Sequence, residues 1–349
     1  MNLYLHIGTE KTGSSHLQSM AAINRDRLKK EGIWFPEEGK REDQLVKGRI
    51  SAGNAQNITD ALNTGDLEAC RKILTHHVAK AKEYDCQTVL LSNELLVLAL
   101  ANDNTLHPFI LTLENSGFDT SSYLLILRDP VEQALSLYKH RAKSGRAPDI
   151  EDWPQQQYYY GDGLLSFLKE ARQENIDLTC RKFSKERGAL EEILFKDWMG
   201  LDIDLTPPPK AVNPSLSLSE LVLIKKVRRH QAYLANILYE RLLAVSKDQK
   251  AEHTGIEQYH RDILSHYLAQ YEETWKACNA QLPVSEKISY PAKVDKKQEK
   301  HEKISSFSEV QMDEISGIIA DSLSFKFKFK VVGLKWRRRL GKLKNRLLN

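Results

Sequence analysis

Residues 3–18 read LYLHIGTEKTGSSHLQ and pass through three patterns in succession. Residues 3–7 are an apolar run of the size expected for a strand buried in a parallel sheet. Residues 8–15, here called the glycine loop, contain two glycines, small hydroxyl residues and one lysine. Leu17 and Met20 then begin a helical pattern. This order of strand, glycine-containing loop and helix N-terminus favours a bound phosphate, because backbone N–H groups and the helix dipole face the anion.

The charges of the chain are unevenly distributed. The 349 residues have a formal net charge of +4. Residues 326–349, here called the basic segment, include ten lysines and arginines and no acidic residue, which leaves 41 basic against 47 acidic residues elsewhere. The rest of the chain is therefore no general binder of polyanions, and no nucleic-acid partner is expected. The basic segment interleaves its cations with Phe and Leu, which predicts contact with an anionic membrane surface.

Other features of the composition predict a cytoplasmic protein. The chain has no apolar run long enough to span a membrane, and it does not begin like a signal peptide. Four cysteines lie far apart without a CxxC pair, which is typical of reduced thiols in a core and predicts no metal site. The basic segment adds the hypothesis of peripheral attachment at the inner face of the membrane.

The order of patterns along the chain predicts an α/β fold with a parallel sheet flanked by helices. Further buried strands are predicted at residues 88–92, 122–127 and 176–181, with helices at 16–32 and 66–84 and a polar surface loop at 37–57. From residue 215 the pattern is helical, and residues 283–306 form a charged connector. The predicted division is a core at 1–214, a helical C-terminal extension at 215–325, and the basic segment.

A second informative stretch is LLILRDPVEQALSLYKHR, residues 124–141. Arg128 follows a predicted strand, and Asp129-Pro130 is typical of a helix start. Because ligands bind beyond the carboxyl ends of parallel strands, Arg128 should lie at the same edge as the glycine loop. Arg128 and the Ser136 hydroxyl could together hold a second phosphate. The alternative is that Arg128 pairs with a carboxylate and that Ser136 is helix surface.

GTEKTGSS resembles the 5′-phosphosulfate loop of the sulfotransferases that use 3′-phosphoadenosine-5′-phosphosulfate (PAPS). Arg-Asp-Pro with a serine eight residues after the arginine resembles their 3′-phosphate motif, and NPSLS at residues 213–217 is similar to a segment of bacterial members. The likeness covers residues 1–220. It implies a P-loop NTPase-like sulfotransferase fold, PAPS as donor, 3′-phosphoadenosine-5′-phosphate (PAP) as product, and no required metal.

The resemblance also implies roles for individual residues. It assigns the 5′-phosphosulfate to residues of the glycine loop, namely Gly8, Thr9, Lys11, Thr12, Gly13, Ser14 and Ser15. It assigns the 3′-phosphate to Arg128 and Ser136. The acceptor that it favours is a hydroxyl of a carbohydrate or glycolipid.

Two residues are predicted to be catalytic. Lys11 can neutralise charge on the leaving phosphate, and Glu94 is the candidate base for the acceptor proton. Glu94 follows the strand at 88–92, and its SNE context resembles the SSE of bacterial members of the family. Glu94 could instead be a helix N-terminal carboxylate favoured by the dipole. Glu38 and His6 are weaker candidates, and His6 is predicted to be a core histidine with its hydrogen bonds satisfied.

Two other functions fit parts of the sequence. A nucleotide or small-molecule kinase could use a similar loop, but GxxxxGK[ST] would need lysine directly after Gly13, where the chain has Ser14. A noncatalytic binder of anions or nucleic acid could act through the basic segment. The aromatic residues Trp153 and 158–160 could stack on a sugar or adenine, or could simply pack in a core.

Overall fold

A computed structural model describes residues 1–37, 42–46, 52–102, 105–143, 147–157, 161–184, 186, 189–208, 216–245, 255–292, 307 and 309–323. Several sequence-based predictions fall outside these residues. They concern Glu38, the tyrosines at 158–160, residues 213–215 and the whole basic segment.

Five strands form one parallel sheet, whose members are β1 (Asn2–His6), β2 (Ile33–Trp34), β3 (Thr88–Ser92), β4 (Thr120–Leu127) and β5 (Asp177–Lys182). Their order across the sheet is β2-β3-β1-β4-β5. The central strand β1 pairs with β3 on one side and with β4 on the other, so that His6 lies opposite both Ser92 and Leu124. The strands predicted at 3–7, 88–92, 122–127 and 176–181 are confirmed within one or two residues.

The helices lie between and after the strands. Those that precede β5 are α1 (Ser14–Ile23), α2 (Arg25–Lys30), α3 (Glu42–Val46), α4 (Gln56–Asn63), α5 (Leu67–Glu83), α6 (Leu96–Leu100), α7 (Leu106–Asn115), α8 (Pro130–Ala142), α9 (Trp153–Gln157) and α10 (Gly161–Gln173). After β5 come α11 (Ala189–Glu191), a π-helix (Glu192–Trp198), α12 (Leu218–His230), α13 (Ala232–Val245), α14 (Gly255–Leu268), α15 (Glu272–Gln281) and α16 (Glu309–Leu323).

Two predictions about the first sixty residues were wrong in detail. The helix predicted over residues 16–32 is two helices, because α1 ends at Asn24, whose side chain donates to Met20 O and Thr206 O. Asparagine competes for backbone groups in this way and so interrupts helices. The loop predicted over 37–57 contains α3. Leu45 of this helix is buried, and the backbone carbonyl of Leu45 accepts a hydrogen bond from Ser19 Oγ.

The chain divides into two compact units, of which the first holds the sheet. This unit comprises residues 1–137, 154–213 and 263–296. On one face of the sheet, Leu90 and Leu124 pack in a cluster with Leu17 of α1 and Trp198 of the π-helix. The neighbouring strand residues, such as Leu91, point to the other face and are also buried. Burial on both faces is why these strands are apolar without alternation.

The second unit comprises residues 138–153, 214–262 and 297–349, and its described part contains helices joined by irregular segments and no strand. Ser217 caps α12 in a reciprocal capping box with Glu220. Gln311 of α16 donates to the buried Glu220 carboxylate at 2.9 Å, which ties α16 to α12. Trp153 is fully buried beside Tyr138, so it packs in the core of this unit.

The architecture is therefore α/β, with a five-stranded parallel sheet flanked by helices. All four cysteines are buried free thiols, as the sequence predicted. Among the helices that the structure describes, none combines the length and apolarity needed to cross a membrane. The predicted division at residues 214 and 325 stays a prediction, and residues 263–292 lie within the sheet-containing unit.

Candidate active site

The carboxyl ends of β1, β3 and β4 lie side by side. The backbone N–H of Asn93 donates to His6 O at 3.0 Å, and that of Ile7 donates to Leu124 O at 2.9 Å. After β1, the chain first adds β2 and β3 on one side of that strand and then adds β4 and β5 on its other side. Such a switch point leaves a crevice beyond the strand ends, where ligands bind in open α/β sheets. The glycine loop, Glu94 and Arg128 all follow strands that end at this crevice.

The glycine loop has a backbone suited to an anion. Lys11 and Gly13 both have positive φ, at 66° and 89°. For lysine this conformation is uncommon and favours a functional reading. Gly13 is the N-cap of α1 but supplies no side chain, so the first N–H groups of α1 have no side-chain cap. Thr9 Oγ1 and Ser14 Oγ are buried without a hydrogen-bond partner. Donors without partners at a helix N-terminus match the needs of a phosphate or sulfate.

Arg128 and Gln133 fasten the loop to β4 and α8. The Arg128 guanidinium donates from Nη1 to Lys11 O at 2.9 Å and stacks on Phe183 at 4.9 Å from the ring centroid. Gln133 donates from Nε2 to Glu10 O at 2.8 Å. Arg128 also lies 3.8 Å from a Glu132 carboxylate oxygen, so part of the alternative reading, pairing with a carboxylate, is also present. Arg128 meets the glycine loop, as the sequence predicted.

Glu94 is half-buried and faces the glycine loop. Desolvation raises the pKa of its carboxyl to about 7, and the charge of Lys11 opposes that shift while the charge of Glu10 adds to it. The backbone N–H of Lys11 and the Ser14 hydroxyl also lower the pKa, although the Ser14 geometry falls short of a full hydrogen bond. A carboxyl with a pKa near neutrality beside a cation has the properties of a general base.

A short segment after α3 supports the end of β3. Asn54 donates from Nδ2 to Leu90 O at 3.1 Å, and its Oδ1 accepts from the backbone N–H of Ser92 at 2.8 Å. Its side-chain amide thus pairs with β3 as a further strand would. Asn93 donates to Ala52 O and to Gln56 Oε1 at 2.8 and 3.0 Å. These four hydrogen bonds fix the backbone directly before Glu94.

The chain after β5 covers one side of the loop. A methyl group built on Gly13 would lie 2.4 Å from Leu190 Cδ1 and 3.3 Å from Phe183, so these apolar side chains pack directly on the N-cap of α1. His16 and Glu191 join the same two segments by a contact of 2.7 Å. Beside this cover lies an open cleft of about 690 Å³, lined by Arg128, Asp129, Glu132, Lys182, Phe183, Ser184 and Glu186.

The structure brings most of the predicted site residues together. The loop residues, Glu94 and Arg128 share one edge of the sheet, and Ser15 lies in the first turn of α1. Ser136 is half-buried on α8, one turn beyond Glu132 and Gln133 and therefore on the same face. Their roles stay predictions.

Sequence reasoning missed Asn54, Ser92, Phe183 and Leu190. The position of Phe183 just after a strand was a usable signal, whereas the contact of Asn54 with β3 has none in the sequence.

Comparisons with protein-family models, with curated proteins and with solved structures find no match to this chain. Within the part of the chain that the structure describes, no three His, Cys, Asp or Glu side chains are grouped as metal ligands would be.

We predict that Asn54→Ala lowers the free energy of unfolding by about 1–3 kcal/mol, because a buried N–H and a buried carbonyl of β3 lose their partners. Urea unfolding followed by circular dichroism measures the change. Asn63→Ala is the control, since Asn63 is exposed at the end of α4 and should change stability by less than about 0.5 kcal/mol. Equal stability of the Asn54 and Asn63 variants would contradict the assigned role.

We predict that Glu94→Gln stabilises the protein more at pH 8 than at pH 5. The native carboxyl, with its pKa of about 7, keeps a proton that the unfolded chain has released, so native stability falls as pH rises from about 4.5 through 7. Glutamine does not titrate, so the Glu94→Gln variant does not lose stability through this group as the pH rises. The difference between the two pH values should be about 1–3 kcal/mol, since one pKa unit corresponds to about 1.4 kcal/mol. The exposed Glu114→Gln on α7 should show no such difference.

Proposed function

We propose that this chain is a PAPS-dependent sulfotransferase that transfers a sulfuryl group to a hydroxyl of a carbohydrate or glycolipid. One observation carries the proposal: the uncapped N-terminus of α1, the Arg128 guanidinium and the Glu94 carboxyl converge on the glycine loop. The proposal includes the P-loop-like sulfotransferase type within the α/β class. The carbohydrate or glycolipid class of acceptor comes from the sequence resemblance.

The residues present fit the phosphate groups of PAPS. The glycine loop offers N–H groups at a helix N-terminus and the buried, unpartnered hydroxyls of Thr9 and Ser14. Arg128 and Lys182 line the adjacent cleft together with the carboxylates of Asp129, Glu132 and Glu186, and the cleft volume of about 690 Å³ lies in the usual range for small-ligand sites. We assign the 5′-phosphosulfate to the loop and the 3′-phosphate to Arg128 with Ser136.

When bound, PAPS would supply a sulfuryl group that is activated by its bond to the 5′-phosphate. Lys11, whose charge also acts on Glu94, would stabilise the negative oxygen that develops on the leaving phosphate. Glu94 would accept the proton of the acceptor hydroxyl as the new oxygen–sulfur bond forms and the bond between sulfur and the 5′-phosphate oxygen breaks. The ammonium of Lys11 keeps part of the Glu94 population ionised despite desolvation. The two residues therefore act as neighbouring partners of opposite charge.

Binding of PAP tests the donor assignment. We predict that the protein binds PAP more tightly than AMP, which lacks the 3′-phosphate. Arg128→Ala should weaken PAP by about 10–150-fold and AMP far less, because one charge-assisted contact contributes about 1.5–3 kcal/mol. Isothermal titration calorimetry measures both, and Arg71→Ala on the exposed face of α5 is the matched control.

Two results would contradict this assignment. Equal affinity of the wild-type protein for PAP and AMP would remove the 3′-phosphate site. An equal loss of affinity for both ligands in Arg128→Ala would mean that Arg128 acts by holding Lys11 O, and not by contacting the 3′-phosphate.

A separate result bears on the kinase hypothesis. Tighter binding of ATP with Mg²⁺ than of PAP would favour that hypothesis.

Turnover tests the role of Glu94. Labelled PAPS should be screened against carbohydrate and glycolipid acceptors, and the wild-type rate should rise with pH through about 7 as Glu94 ionises. We predict that Glu94→Gln slows transfer by about 10²–10⁴-fold and leaves PAP affinity nearly unchanged, because a general base acts on the acceptor. Wild-type rates in Glu94→Gln would assign the base to another residue.

A further inference from the structure

His6 is buried directly below the glycine loop with one ring nitrogen unpaired. The residue is the last of β1 and only 1% exposed. Its Nδ1 lies 2.9 Å from Ser92 Oγ, whereas Nε2 is buried without a hydrogen-bond partner. The predicted burial is confirmed, but the prediction of satisfied hydrogen bonds was wrong. A buried unpaired polar group costs about 1–3 kcal/mol and so calls for an explanation.

The unpaired nitrogen lies against the first glycine of the loop. A methyl group built on Gly8 would be 2.8 Å from His6 Nε2 and 3.2 Å from Thr12 Oγ1. The Thr12 hydroxyl donates to Thr9 O at 2.6 Å, so it holds the turn just above the ring. Thr9 Oγ1 is itself buried and unpaired. The underside of the loop and the edge of the His6 ring thus present unpaired polar atoms in the same small region.

The other ring nitrogen is held by a chain of side chains. Gln18 of α1 donates from Nε2 to Ser92 Oγ at 3.0 Å. Ser92 Oγ, which has one hydrogen and two acceptor sites, can accept from Gln18 and donate to His6 Nδ1 at the same time, and in that pattern the ring proton lies on Nε2. The chain links α1, β3 and β1, and Ser92 lies two residues before Glu94. The ring is therefore held in orientation, and in this hydrogen-bond pattern its Nε2–H is directed at the loop.

The contacts described around the ring involve neutral side chains. Ser92 contacts Nδ1 directly, Gln18 contacts Ser92, and Thr12 lies beside Gly8 above the ring. Burial lowers the pKa of His6 to about 4, so the ring is neutral near pH 7. The positive charge at the loop then comes from Lys11 and Arg128.

We infer that His6 is a positioning residue for the glycine loop, whose anion-bound conformation pairs His6 Nε2–H with an oxygen of the loop. The Nδ1 side of the ring, through Ser92, holds the strand end that carries Glu94. The ring thereby couples the position of the bound donor to the position of the base. This inference rests on the proposed function, since it takes the loop as the site of the 5′-phosphosulfate.

Two substitutions separate the two ring nitrogens. The terminal amide of glutamine lies near the position of Nε2, and that of asparagine lies near Nδ1. We predict that His6→Gln binds PAP within about threefold of the wild-type affinity, and that His6→Asn binds it at least about tenfold more weakly, the effect of losing one hydrogen bond in the complex. Calorimetry with PAP measures both, and thermal unfolding verifies that each variant is folded.

A spectroscopic measurement on the wild-type protein does not depend on the stability of any variant. With ¹⁵N-labelled histidine, the His6 Nε2 resonance, assigned by its loss in His6→Gln, should shift on addition of PAP and not on addition of adenosine. His77 of α5 is half-buried, and desolvation together with the neighbouring His76 lowers its pKa to about 4, so its resonances serve as a control and should stay unchanged. A histidine that only fills space in the core would give no such selective shift.

The outcomes distinguish this inference from the proposed function. A wild-type protein that fails to bind PAP overturns the proposed function, and the inference with it. Tight PAP binding with an unmoved His6 resonance, or with His6→Asn equal to wild type, overturns the role of His6 alone. Weak binding by His6→Asn, retained binding by His6→Gln and a selective shift together support the inference.

Discussion

The pairing of β1 between β3 and β4 is the constraint on which the site depends. Parallel strands in register end at the same edge, and here His6 lies level with both Ser92 and Leu124. The segments that leave these three strands must therefore begin within about 10 Å of one another, since neighbouring strands lie about 4.8 Å apart. Residues separated by more than one hundred positions in the chain, such as Lys11 and Arg128, meet for this reason. Without that register the glycine loop would be an ordinary strand-to-helix turn.

The site places a half-buried carboxyl group, Glu94, close to half-buried cations, and their effects on the Glu94 pKa partly cancel. Desolvation alone would keep Glu94 protonated, and the charge of Lys11 acts against it. Arg128 is held by Lys11 O and by the ring of Phe183, so its charge is fixed in place. The conformational entropy of its side chain is therefore already lost before a ligand binds. Groups held in this way need little rearrangement when a ligand arrives. Outside the basic segment the chain has more acidic than basic residues, so the positive charges of Lys11 and Arg128 at the site contrast with the net negative charge of that part of the chain.

Much of the sheet could be predicted from the sequence, because strands covered on both faces are apolar throughout and glycine marks the loop after β1. The break between α1 and α2 could not, since it depends on Asn24 reaching Thr206 O, far along the chain. Within the candidate site, Lys11, Glu94 and Arg128 were found because each follows a strand. Asn54 was not, since its contact with β3 is tertiary and leaves no periodic signal.

The incorrect prediction for His6 shows what such reasoning omits. A histidine within an apolar strand is expected to be buried, and it is, but burial does not determine whether both ring nitrogens find partners. Here Ser92 and Gln18 satisfy one side, and Gly8 closes over the other without providing an acceptor. Gln18 is likewise paired on one side only, because its Nε2 donates to Ser92 Oγ while its Oε1 is buried without a hydrogen-bond partner. An energetic penalty concentrated at one loop is a reason for that loop to change conformation when its anion binds.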